Sequence, residues 1–251
     1  MPTEAGDMKL LGNFRTLIDQ VSADSSYNPS NASLAKTALE TQYTAARAAV
    51  EAVSNKLAPN KLAINERVIA FDAMEPLVLR SRNMLKATGV SKQILEDAET
   101  SVRKILGRRK TSKSTGTPPA APAPDGPQTP ENEAGANHSA SQMSFDNRLG
   151  NLNGYVAILS NVAAYDPNEV DLKVTSLQAM ADDLQAKNDA VSSTFVPLSQ
   201  ARGVRDNLLY LGADCVVNTA LLVKAYVNAA LGSSSQLNKQ VKGLQFKRAA
   251  K

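Results

Sequence analysis

Apolar side chains recur along this chain at helical spacing, and no stretch alternates apolar and polar residues long enough to make a strand. Leu39, Tyr43, Ala46, Val50, Val53 and Leu57 follow one another in steps of 4 and 3. Leu177, Ala181, Leu184, Asn188, Val191 and Phe195 repeat those steps further on. A seam of this kind keeps one helix face apolar and favours packing at shallow crossing angles. Asn188 is the polar exception, and it reads as a boundary position rather than one that sets register. A third stretch, about Ser199–Leu231, aligns Val204, Leu208, Leu211, Cys215, Leu222, Ala225 and Ala229 on one face, widened by Leu209, Val216, Val223 and Ala230. It predicts a long central helix covered on most sides.

The second seam is the first one repeated. Displaced by 138 positions, Leu11-Gly12-Asn13 falls on Leu149-Gly150-Asn151, Tyr27-x-Pro29 on Tyr165-x-Pro167, and Pro59 on Pro197. Between Leu11 and Pro59, 14 of 49 aligned positions are identical. This period is too long for a solenoid unit and indicates a duplicated module. The expected fold class is all-α: an internally duplicated up-down helical bundle, with three long helices and a short one per module. The expected domains are module 1 at 1–110, a disordered linker at 111–142, and module 2 at 143–251.

Within each module, helix A is predicted over about Met8–Ala23 and Phe145–Ala163. Asn28 or Asp166 is placed as the N-cap of helix B, with Pro29 or Pro167 at its first position. Glu169 would complete a capping box in the second copy. Helix B runs to about Lys56 or Thr194, and Pro59 and Pro197 mark the turn into helix C. Pro76 should kink or split helix C of the first copy, whereas the second copy should be unbroken. Gly89 and Gly232 read as helix stops. Short segments follow at Ser91–Leu106 and Ser234–Phe246.

The stretch 111–142 holds six of the 12 prolines and no Leu, Ile, Val or aromatic residue. It cannot offset its ordering entropy by burial, and as a flexible coil it would span roughly 30 Å.

Candidate chemistry is sparse. One cysteine, Cys215, allows no internal disulfide and reads as a small core residue. The one histidine, His138, lies in the low-complexity stretch, so no Ser-His-Asp triad or di-iron Glu-x-x-His site is expected. Asp182 and Asp183 are adjacent and point apart on a helix; Asp72 and Glu75 could meet, but Pro76 stands beside them. No phosphate-cradling glycine motif occurs. The expectation is no enzyme, no cofactor, no metal and no small-molecule ligand.

Net charge is +4 and unevenly spread. Residues 1–110 hold 16 basic and 12 acidic side chains, and 143–251 hold 11 and nine. Basic residues gather at both module ends: Arg103, Lys104, Arg108, Arg109, Lys110 and Lys113 in the first, Lys239, Lys242, Lys247, Arg248 and Lys251 in the second. These could bind phosphates in a salt-dependent way, although only Phe246 lies among them for stacking on bases. The basic amphipathic tail could alternatively touch an anionic membrane surface. No secretory h-region and no charge-free run of 18 apolar residues is seen, so a soluble cytoplasmic protein is expected. The favoured role is a structural or protein-interaction module, partnered by another protein or by itself; nucleic-acid association through the basic ends is the alternative.

Overall fold

The computed structural model describes residues 4–108 and 144–247. The linker 111–142, His138, Arg109, Lys110, Lys113, Arg248 and Lys251 lie outside them. The described residues are helical and contain no strand. The helices are α1 (Glu4–Ala23), α2 (Lys36–Ala87), α3 (Lys92–Ile105), α4 (Phe145–Ser160), α5 (Val174–Asp206), α6 (Val216–Leu231) and α7 (Gln236–Lys242).

Serine side chains start three of them. Ser91, Ser144 and Ser235 accept hydrogen bonds from the N–H groups of Ile94, Asn147 and Asn238 at 3.5, 3.2 and 3.1 Å. Each satisfies a donor that a helix N-terminus leaves open. Gly89 and Gly232 follow α2 and α6 with φ of 71° and 78°, the left-handed region expected of helix stops.

The Tyr-x-Pro joints do not cap helices in the expected way. In both, a single 3-10 turn intervenes, at Ala32–Leu34 and Val170–Leu172, and the long helix begins only afterwards. Asn31, not Asn28, caps the first turn, accepting from Ser33 N at 3.0 Å. Glu169 occupies the cap position of the second turn without a side-chain bond, so the capping box does not form. The tyrosines close the joints. Tyr27 Oη donates to Leu34 O at 2.8 Å, and Tyr165 Oη donates to Leu172 O at 2.8 Å. Both hydroxyls are buried, so each bond satisfies two groups removed from water.

The prolines also behave differently from expectation. α2 runs unbroken through Pro59 and Pro76, and α5 through Pro197. A mid-helix proline removes one backbone bond and crowds the preceding turn. Here the buried residues on either side, Met74 and Val78 around Pro76 for example, hold the helix on course. The expected unbroken helix is instead the one that breaks. After Asp206 the backbone widens into a π turn at Asn207–Leu211, bends at Gly212–Asp214, and restarts at Val216 with Cys215 as N-cap. Gly212 N donates to Asn207 O at 2.8 Å. A Cβ on Gly212 would stand 2.9 Å from that same carbonyl oxygen, which explains the glycine. Gln42 Nε2 donates to Asp214 O at 2.7 Å, and Asn218 Nδ2 to Ala213 O at 3.1 Å, so the freed carbonyls keep partners.

Because α2 and α5 run on, the compact units do not coincide with the sequence halves 1–110 and 143–251. Unit 1 comprises residues 1–63 and 192–251, and unit 2 comprises 64–191. The core of unit 1 joins Phe14, Leu17 and Ile18 of α1 and Leu39 and Ala46 of α2 to Val216, Ala220 and Val223 of α6 and Val241 of α7. The core of unit 2 joins Phe71, Met74, Val78 and Leu85 of α2 and Val102 and Ile105 of α3 to Leu152, Tyr155 and Leu159 of α4 and Leu177 and Leu184 of α5. Each fully buried Leu, Ile or Phe contributes about 1.5–3 kcal/mol, and every such core draws on both halves of the sequence. The seams expected of helix B split accordingly: Leu39, Ala46 and Val50 serve one core, Leu177, Ala181 and Leu184 the other. Phe195, expected in the second seam, is 52% exposed.

Candidate functional site

Two polar clusters sit at the starts of α1 and α4. In unit 1, Asp7 is fully buried. Its Oδ1 accepts from Tyr210 Oη at 2.7 Å, and its Oδ2 lies 3.2 Å from Arg205 Nη1. Arg205 turns its remaining edge to Asp206 Oδ1, with Nε at 2.9 Å and Nη2 at 2.7 Å. The Tyr210 hydroxyl is pushed above its ordinary pKa, first by burial and then by the bond to Asp7. In unit 2, the Arg67 guanidinium lies 4.0 Å above the Phe145 ring. Next to it, Asn188 Nδ2 donates to Asp146 Oδ1 at 3.0 Å. Asn188 is therefore a buried, bonded residue and not a boundary position.

Arg148 forms a second polar centre in unit 2. It is 8% exposed, donates Nε to Ile105 O at 3.1 Å, and reaches Glu75 Oε1 with Nη2 at 2.8 Å. Ser81 and Tyr155 share a buried hydroxyl–hydroxyl bond of 2.9 Å, and Ser81 Oγ also donates to Val78 O at 3.0 Å. Burial drives the Tyr155 hydroxyl above its ordinary pKa. These groups satisfy one another. No group of three metal-ligating side chains occurs among the described residues. Sequence reasoning missed all these contacts; it considered Glu75 only beside Asp72, whereas its partner is Arg148. The signal in the sequence was weak: single polar residues, Asp7, Ser81 and Arg148, on otherwise apolar helix faces.

The basic residues are dispersed. Lys104 and Arg108 are exposed, and Arg103 is half-buried and donates to Thr100 Oγ1 at 2.8 Å; all three belong to unit 2. Lys239, Lys242 and Lys247 are exposed and belong to unit 1. Phe246, the one aromatic near them, is 8% exposed, with Lys224 Nζ 5.9 Å from its ring centre, so its face is not presented to a base. Leu237 and Val241 of α7 are buried in the unit 1 core. The apolar side of the tail thus faces inward. Lys224 holds the tail by donating to Lys242 O and Leu244 O at 3.1 and 2.8 Å, and burial lowers its pKa.

Several large apolar side chains are also exposed. Val196, Val204, Leu211 and Met8 are 54%, 56%, 70% and 61% exposed in unit 1. Pro197, Ala201, Val204, Leu208 and Leu211 follow steps of 4, 3, 4 and 3, and none of them is buried. By length and composition alone, Val174–Leu231 also contains a window apolar enough to cross a membrane, with mean hydropathy 1.5; 39% of it is buried in the fold. Comparison with protein-family models, curated proteins and solved structures gives no match to this chain.

Proposed function

We propose that the protein is a duplicated, non-catalytic helical bundle that works as an assembly module and associates with a second copy of itself. The observation that carries this reading is the apolar stripe formed by Pro197, Ala201 and Val204 of α5 and by Leu208 and Leu211 of the π turn, of which Val204 and Leu211 are exposed and the others half-buried. A heptad-spaced apolar stripe is self-complementary when two copies are laid antiparallel, which is what an isologous dimer contact requires. Exposed apolar surface of this kind marks contact sites more often than it is left bare.

The duplication is supported by more than sequence identity. The two joints form the same tyrosine-to-leucine bond 138 residues apart. Arg67 and Arg205, also 138 apart, each face the start of a helix A, through Phe145 in one case and Asp7 in the other. Beyond the π turn the correspondence moves to 142 residues: the fully buried Met74, Val78, Ser81 and Leu85 match the buried Val216, Ala220, Val223 and Val227. A shift of four residues fits the extra chain that the turn and the bend at Gly212–Asp214 take up.

Sedimentation of the intact chain over a concentration series tests the functional reading. Association should rise with concentration, and Val204→Asp with Leu211→Asp should abolish it while leaving the helical signal unchanged. A chain that stays monomeric throughout the series would overturn it.

A further inference from the structure

In each unit a set of buried polar contacts runs between the two halves of the sequence. Asp7 belongs to the first half, and Arg205 and Tyr210 to the second. Ser81 and Glu75 belong to the first, and Tyr155 and Arg148 to the second. The same holds for the edge-to-face pairs Tyr27–Tyr226, with ring centres 5.3 Å apart, and Phe71–Phe145 at 4.8 Å. From these we infer that residues 4–108 and 144–247 are complementary binding partners, each half being the docking surface of the other and selective for the unlike half. The apolar stripe of α5 and the π turn has no part in this pairing.

The selectivity follows from what the equivalent positions hold. If two second halves paired, Arg148 would meet Val217 where it now meets Glu75, and Tyr155 would meet Val223 where it now meets Ser81. A buried guanidinium and a buried phenol would both lose their partners, which is how a protein rejects a wrong partner. If two first halves paired, Asp7 would find Arg67 but no counterpart of Tyr210, because α2 runs straight through at the level where the second copy makes its π turn. Glu75 would face Leu10 in place of Arg148. The unlike pair gives Asp7, Tyr155 and Arg148 each a charged or hydrogen-bonding partner. The peptide connection between the halves is then dispensable for recognition and serves to raise their effective concentration.

The test starts from the purified intact protein carrying a protease site introduced between residues 111 and 142. After cleavage the two pieces should elute together at the size of the uncut chain, with the helical signal kept. Pieces that separate, each with its own cooperative melt, would overturn the inference. Selectivity is tested by unfolding and jointly refolding two cleaved preparations, one with an affinity tag on the second half. Capture by the tag should bring down first halves and at least tenfold fewer untagged second halves. Equal capture of both would overturn the selectivity. Arg148→Leu, which restores the residue found at Leu10, should raise the capture of like halves, and an unchanged ratio would remove Arg148 as its cause.

Discussion

Tyr27 and Tyr165 show how much one hydroxyl settles. Each reaches seven residues forward to a leucine carbonyl and ties a helix end to the turn that follows it. Tyr27→Phe and Tyr165→Phe should each cost about 1 kcal/mol, because the carbonyl is left buried and unbonded; urea unfolding checks this. Burial raises both phenols to about 12 from the ordinary 10. The folded state therefore holds these protons more tightly than the unfolded chain. Their stability contribution is complete below pH 10 and is lost as pH rises through 12. Melting temperature should accordingly fall between pH 10 and 12, and the double Phe variant should show a shallower fall. Asp7 is the other decisive residue. Asp7→Ala leaves Arg205 Nη1 and the Tyr210 hydroxyl without the carboxylate that faces them, with Asp206 still holding the other edge of Arg205, and should cost about 2–3 kcal/mol in the same measurement. The alignment pointed to Tyr27 and Tyr165, and it also retained Leu34 and Leu172, but identity of a leucine does not reveal that its carbonyl is the part in use.

At the scale of elements, the helices were legible and their ends only partly so. Ser91, Gly89 and Gly232 act as caps and stops because those signals are local and chemical. The prolines misled because the rule against them is also local, while the packing that overrides it is not. Pro76 is exposed on α2 and lies between buried Met74 and Val78. Pro76→Ala restores a backbone donor and should stabilise the protein by about 1–3 kcal/mol, read as a higher urea midpoint. An unchanged midpoint would mean that the backbone has already adapted to the ring. The break at Gly212 is the converse case. No proline announces it, and its cause is the π turn and the close approach of Asn207 O. Gly212→Ala, forced against that oxygen, should destabilise by about 1–2 kcal/mol.

For the whole molecule, the alignment tells which residues are equivalent but not which copy packs against which. Leu39 needs an apolar neighbour whether α6 or the corresponding part of α2 supplies it, and the same pattern of apolar positions results. That ambiguity is why the helical character was legible and the mixed composition of the compact units was not. The candidate site shared this fate, since Asp7–Arg205 and Glu75–Arg148 span more than 70 residues and belong to no local motif. The central claim is that each compact unit is assembled from both halves of the chain. Nuclear Overhauser contacts of the Tyr27 ring test it most directly. They should connect Tyr27 to the ring of Tyr226, whose centre is 5.3 Å away; contacts from Tyr27 to Leu85 or Val102, the neighbours it would have in a self-contained first module, would contradict it.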